Sequence, residues 1–201
     1  NTTDDSVSAG SVFITGSTVD ITNIDTSATG ATANAGSIQV TVHDSFDLDA
    51  AAIVVATSTD GAAGTFTVDA VDDGDAGSTA GDAETITLNS GASWTGGSFT
   101  LNGNSGVDSF YLGAVFELTA NAGDGADDLY IDNNFAGTVN GDNGADDFFI
   151  RSSVAATLNG INGNDSFYLL ADNVNATIVA GDAGNNEDSI YGIDGSTEVY
   201  T

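Results

Sequence analysis

Four aspartates, Asp108, Asp127, Asp146 and Asp165, stand 19 residues apart in a chain of 201. Each lies two positions after a glycine (Gly106, Gly125, Gly144 and Gly163) and two before a large apolar residue. A fixed short period means one supersecondary unit stacked on itself. Successive strands of a parallel stack lie about 4.8 Å apart, so the four carboxylates would form a column at that pitch. Two unit charges so placed repel by roughly 3 kcal/mol at an effective dielectric of 20. Such a column needs something neutral or positive between its members. Hard oxygen ligands favour calcium, and the glycines permit the positive-φ backbone that would turn carbonyls toward an ion. The other reading of the column is a solvated acidic edge.

The elements that position these residues are strands. Leu101 to Leu112 returns as Val139 to Ile150 and again as Leu158 to Leu169, with a related copy from Ala122 to Ile131 between the first two. A fifth copy, from Gly181 through Asp182 to Asp188 and Tyr191, carries extra residues. Alternation predicts two inward apolar columns, Phe110, Leu129, Phe148 and Phe167 beside Leu112, Ile131, Ile150 and Leu169. It sends Tyr111, Tyr130, Phe149 and Tyr168 outward as an aromatic ladder, and Thr100, Thr119, Thr138 and Thr157 outward on another face. A second strand is expected in each coil at 116–120, 135–139 and 154–158.

A longer, looser repeat precedes this one. Gly10-Ser11-Val12-Phe13-Ile14-Thr15 recurs from Gly36, from Gly64 and from Gly97, each a glycine followed by a half-buried strand. Second strands follow at 18–21, 45–48 and 85–88. The fold expected is all-β: one continuous, right-handed parallel β-helix, or β-solenoid. It comprises a polar lead-in (1–9), long irregular coils (10–96) and short coils (97–201). An N-terminal β-sandwich ahead of a C-terminal β-roll is the alternative. Residues 69–84, with Asp69, Asp72, Asp73, Asp75, Asp82 and Glu84, read as an acidic excursion that either holds an ion or is solvated.

Composition bounds the chemistry. One Lys or Arg against 30 Asp and Glu gives a formal net charge of −29. Nucleic acid is excluded as a partner, because phosphate needs cations opposite it. The absence of Cys removes disulfides and thiolate metal sites. No apolar run reaches membrane-spanning length. Catalysis on acidic polysaccharides needs Lys, Arg or His, and the chain offers His43 and Arg151, in different coil types. The expectation is therefore a protein that is not an enzyme, with a polysaccharide-active β-helix as the least favoured reading.

Gly141-Asp142-Asn143-Gly144-Ala145-Asp146-Asp147-Phe148-Phe149 resembles the nonapeptide of the RTX (repeats-in-toxin) calcium-binding β-roll, G-G-x-G-x-D-x-U-x. Residues 103–111 and 160–168 match at both outer glycines, the aspartate and the large apolar position; residues 122–130 match at all but the first glycine. The resemblance implies calcium held by Asp108, Asp127, Asp146 and Asp165, with turn carbonyls from Gly103, Gly106, Gly125, Gly141, Gly144, Gly160 and Gly163. It makes Asp124, Asn143 and Asn162 extra ligands, and Asp142, Asp182 and Asp188 complete the candidate set. The sequence departs from that family in its second glycine, which becomes Asn104, Asp142 or Ile161, and in the opposite coil edge, which lacks the motif. One column of ions is expected rather than two. The earlier coils are similar to filamentous-haemagglutinin-type β-helices.

These features point to a secreted, cell-surface structural protein: a calcium-binding solenoid of a surface layer (S-layer), filament or large adhesin that assembles with itself. The alternative is a glycan- or surface-binding module that uses Tyr111, Tyr130, Phe149 and Tyr168.

Overall fold

The computed structural model describes residues 8–29, 33–59, 61–71, 83–113, 116–132, 135–171, 174–181 and 187–192, with the backbone of 199–200. Among them every paired strand is parallel and no helix occurs. The chain is an all-β parallel solenoid of about seven turns. It is laid down as β1 (Val12–Asp25), β2 (Ile38–Val55), β3 (Phe66–Ala70), β4 (Thr85–Leu88), β5 (Ser93–Thr95), β6 (Phe99–Asn102), β7 (Ser109–Leu112) and β8 (Glu117–Gly125). There follow β9 (Asp128–Ile131), β10 (Ala136–Gly144), β11 (Asp147–Ile150), β12 (Ala155–Asn162), β13 (Ser166–Leu169), β14 (Thr177–Val179), β15 (Ser189–Gly192) and β16 (Val199–Tyr200).

The long strand β2 explains the architecture. Its first segment pairs with β3, its second with β4 and its third with β5, so one coil visits three faces. Two of these faces continue upward. One ladder runs β4, β7, β9, β11, β13, β15, and the other runs β3, β6, β8, β10, β12, β14, β16. The third face ends at β5, which pairs only with β2 among the described residues. In the short coils each residue faces its counterpart 19 positions away, as Phe148 faces Leu129 on one side and Phe167 on the other.

Alternation fills the interior. Phe110, Leu129, Phe148 and Phe167 are fully buried, as are Leu112, Ile131, Ile150 and Leu169. The outward aromatics stack at 4.8 to 5.0 Å between ring centres, from Tyr111 through Tyr130, Phe149 and Tyr168 to Tyr191. That spacing is the strand pitch itself, so each ring sits on the one below. Thr100, Thr119, Thr138 and Thr157 are in register and half-buried.

One correction concerns the repeat turn. The strand expected at 116–120 continues as β8 to Gly125, and its counterparts β10 and β12 run on to Gly144 and Asn162. Parallel pairing persists through the glycines because the backbone bends without releasing the ladder: Asp124 N–H still reaches Asn104 O at 2.7 Å. The polar lead-in is tied down at its end, where Ala9 N–H bonds Asn34 O at 3.0 Å. Asp72, Asp73, Asp75 and Asp82 lie outside the described residues.

Candidate metal centre

The four key aspartates are inside the solenoid. Asp108, Asp127, Asp146 and Asp165 are 1, 1, 0 and 1 % exposed, so the reading of a solvated edge is wrong. Each occupies the corner between the two continuing ladders, just before β7, β9, β11 or β13. Strand parity puts it there: Asp108, Phe110 and Leu112 are alternate residues and share the inward face.

The column holds together through the backbone. Asp108 N–H donates to Asp127 Oδ1 (2.7 Å), Asp127 N–H to Asp146 Oδ1 (2.9 Å) and Asp146 N–H to Asp165 Oδ1 (3.0 Å). The chain of bonds extends beyond the strict repeat. Glu84 N–H donates to Asp108 Oδ1 (2.9 Å), and Asp165 N–H donates to Asp188 Oδ1 (3.0 Å). Five carboxyl groups therefore accept along one file, and the side chain of Glu84 meets Asp108 at its lower end. Glu84, itself 1 % exposed, belongs to the foot of this file rather than to a solvated excursion.

Each aspartate spends one oxygen on this ladder. The second, Oδ2 of Asp108, Asp127, Asp146 and Asp165, is buried without a hydrogen-bond partner. In three coils Oδ2 lies against the first glycine of the turn, beside a carbonyl of the next coil. A Cβ on Gly103 would meet Ala122 O at 2.2 Å and Asp108 Oδ2 at 2.4 Å; one on Gly160 would meet Ala180 O and Asp165 Oδ2, both at 2.2 Å. On Gly141 it would meet Asp146 Oδ2 at 2.4 Å and Gly160 O at 3.0 Å. In these three coils only glycine leaves that space to oxygen, whereas the coil of Asp127 places Ala122 at the same register position.

A buried carboxylate away from water resists ionisation. Burial is the first cause that raises Asp127 to about 7, Asp146 to about 8 and Asp165 to about 6, and it raises Asp108 as well. Neighbouring column charges add to the effect at Asp127 and Asp146, while the backbone N–H bonds oppose it. The column must therefore take up protons or cations.

Its donor chemistry fits a hard cation: carboxylate and carbonyl oxygens, with no nitrogen or sulfur ligand. The carboxylates form a file rather than a cluster, and among the described residues no three acidic or histidine side chains gather at one point. An ion would therefore draw its ligands from successive coils. The carbonyls of Gly106, Gly125 and Gly144 point at the next coil's glycine, where a Cβ would come within 1.3 to 1.5 Å of them. Gly106, Gly144 and Gly163 take φ of +134°, +152° and +134°, which favours glycine there.

The remaining candidates separate from the column. Asp124, Asn143 and Asn162 form an exposed ladder, in which Asn143 Nδ2 donates to Asp124 Oδ1 (2.6 Å) and Asn162 Nδ2 to Asn143 Oδ1 (2.8 Å). Asp142 is half-buried beside them, its carboxyl raised first by burial and then by the Asp124 charge. It helps to line a shallow groove of about 290 Å³ with Asn102, Asn104, Asn121, Asp124 and Asn143. Asp182 lies outside the described residues. Beside this groove runs a ladder that the sequence reading missed. Asn121, Asn140 and Asn159 donate in turn to Asn102, Asn121 and Asn140 at 2.6 to 2.8 Å, and Asn102 donates to Asp69 Oδ1 at 2.6 Å. The same 19-residue spacing marked these asparagines.

The two catalytic candidates lie apart, each in contact with a neighbouring coil. Arg151 pairs with Asp132 at 2.5 Å and lies 4.9 Å over the Tyr130 ring. His43 Nδ1 lies 3.0 Å from Val71 O at a corner of the second coil. No helix of the described residues is long and apolar enough to cross a membrane. No protein-family model, curated protein or solved structure matches the chain.

Proposed function

We propose that the chain is an extracellular structural protein, a calcium-stabilised solenoid that serves a surface layer, fibre or large adhesin and assembles with copies of itself. One observation carries this reading: the file of buried carboxyl groups with unpartnered Oδ2 atoms. A purely structural column of uncharged side chains would fill the corner at less cost, because a buried carboxylate demands compensation. Calcium supplies it where the ion is abundant, and millimolar calcium is extracellular. Asp108, Asp127, Asp146 and Asp165 would hold the ions, with Asp188 at the upper end. Bound ions add charge compensation and stability by mass action. The calcium and RTX-like reading rests on the nonapeptide resemblance together with this column.

The test is calorimetric titration of calcium into chelator-treated protein, with thermal melts followed by circular dichroism. Saturable binding and a rise in melting temperature are expected. Unchanged melting in calcium and in chelator removes the calcium reading and leaves the column to protons. Light scattering with and without calcium tests assembly, and a monodisperse monomer at high concentration in calcium counts against it.

The stacked aromatic face favours a second reading, a glycan- or surface-binding module. Tyr111 and Tyr191 are 37 and 53 % exposed, and an exposed aromatic row suits a flat partner.

A further inference from the structure

Where the coil shortens, the third face carries no strand beyond β5 among the described residues. β5 has β2 below it and no strand above it among the described residues. Among the described residues, the chain between β7 and β8 and between β9 and β10 carries no third strand. Beside β5 lies a cleft of about 520 Å³ lined by Trp94, Phe99, Phe116, Glu117, Thr119 and Thr138. That volume lies within the roughly 300–1,000 Å³ of small-molecule sites.

The cleft is built rather than incidental. Trp94 is pinned by its indole N–H, which donates to Gly97 O at 3.1 Å. Its ring packs at a tilt on Phe66 and Phe99, with centres 5.7 and 6.0 Å away. Gly96 makes room for it, since a Cβ there would come within 2.2 Å of the indole. Phe116 stacks on Phe99 at 5.3 Å. Trp94 and Phe116 stay partly exposed, and Glu117 beside them is exposed.

We infer that this cleft binds an organic cation, an ammonium or guanidinium group carried on an apolar frame. The negative faces of aromatic rings attract such a group, and a carboxylate at the rim completes the charge match. No Lys, Arg or His lines the cleft, and the chain's one Lys or Arg is committed elsewhere, to Asp132. A net charge of −29 raises the local concentration of cations and repels anions. A neutral polyol would use the Thr119 and Thr138 hydroxyls but leave Glu117 and this field without a part. Calcium suits the cleft less well, because one carboxylate among aromatic rings brings it a single ligand charge and no ring face serves as an oxygen ligand.

Trp94 is the chain's one tryptophan, so intrinsic fluorescence reads the cleft directly. The experiment titrates choline into the full chain in saturating calcium, at ionic strength fixed with sodium chloride. A parallel titration uses 3,3-dimethyl-1-butanol, the uncharged carbon isostere. A saturable change in emission is expected with choline, at an affinity about tenfold or more above that of the isostere. Glu117→Gln, on an exposed site that leaves the fold intact, is expected to weaken choline by a similar factor. Absence of a saturable response to choline overturns the inference. Equal binding of the isostere, or an unaltered choline affinity in Glu117→Gln, overturns it as well.

Discussion

The long coils and the short coils solve the same packing problem with different interiors. In the long coils three faces close around Val, Ile, Phe and Ala, and Thr26 is the buried polar side chain among the described residues before Glu84. Its hydroxyl donates to Gly36 O at 2.7 Å, so it asks nothing of the solvent. Coil-to-coil side-chain contacts there lie on the outer wall and include hydroxyl bonds, such as Thr57 Oγ1 to Ser27 Oγ and Thr65 Oγ1 to Ser37 Oγ, both 3.2 Å, and the amide of Asn89, which donates to Asp47 Oδ1 at 2.6 Å. In the short coils two strand faces remain among the described residues, and the corner between them is filled by carboxyl groups. Apolar burial depends little on pH or metal, whereas a buried carboxyl depends on both. One solenoid therefore carries an unconditional lower half and a conditional upper half.

The largest effect expected from this contrast is with pH. The folded-state values of Asp127, Asp146 and Asp165 are raised from 3.8 to about 7, about 8 and about 6. The folded state thus holds protons more tightly than the unfolded chain does. Its stabilisation is complete below the unfolded value near 4 and is lost as pH rises through the folded values. Metal-free protein is expected to melt at lower temperature as pH climbs from about 5 to about 8. Calcium requires the deprotonated form, so it restores stability at the upper pH and does little at the lower. Hydrogen exchange locates the loss: β10 and β12 open before β2. Equal protection of the two halves at about pH 8 without metal breaks the comparison.

Substitution in the column comes next. Asp146→Ala removes the acceptor of Asp127 N–H and empties a fully buried site. A cost of about 2–4 kcal/mol is expected in urea unfolding. Asp146→Asn keeps an acceptor and removes the charge, so it is expected to stabilise metal-free protein at about pH 8 while reducing the calcium response. Asp20→Ala on the exposed face of β1 stays within about 0.5 kcal/mol. If Asp146→Asn and Asp146→Ala cost the same, charge is not what sets the upper half apart.

Much of this was legible from the period. Residues recurring every 19 positions must face one another in a stack, and so the apolar columns and the aromatic ladder followed. The burial of the aspartates was legible too, because Asp108 shares strand parity with Phe110; the habit of placing charge outside hid it. Glu84 was hidden for a different reason. It stands 24 positions before Asp108 rather than 19, because the third coil still contains β5 and its return, and a period cannot be read across a change of coil length. The extension of β8 through its glycines was masked by their turn propensity. Tertiary pairing overrode it, since the neighbouring coil offers a ladder partner at every step. The cleft at Trp94 lies where β5 has no strand above it among the described residues, and no local pattern records that.

A smaller effect is expected in the amide ladder. Asn140 donates to Asn121 at 2.8 Å and accepts from Asn159 at 2.6 Å. Asn140→Ala breaks both bonds at a half-buried site, with an expected cost of about 1–2 kcal/mol, equal in calcium and in chelator. A calcium-dependent cost would instead place this ladder among the ligands.

The smallest effect has the opposite sign. Asn104, Gly123, Asp142, Ile161 and Gly181 occupy one position in successive coils, and all take positive φ: +71°, +111°, +71°, +80° and +140°. Glycine does so freely, and Asn and Asp tolerate it through their short polar side chains. Ile161 is β-branched and held in the left-handed region, which costs roughly 1–2 kcal/mol. Part of that cost is offset because the side chain is half-buried on the wall. Ile161→Asn removes the strain and copies the residue that Asn104 presents in a lower coil. A gain of about 0.5–1 kcal/mol is expected in urea unfolding, with calcium stoichiometry unchanged because the side chain stands outside the column. The same substitution at Val139, whose buried side chain faces Ala120 and Leu158, destabilises the fold. A loss of stability in Ile161→Asn would mean that the isoleucine's contacts outweigh its backbone strain, and that the short coils depend on their outer wall as well as on their carboxyl corner.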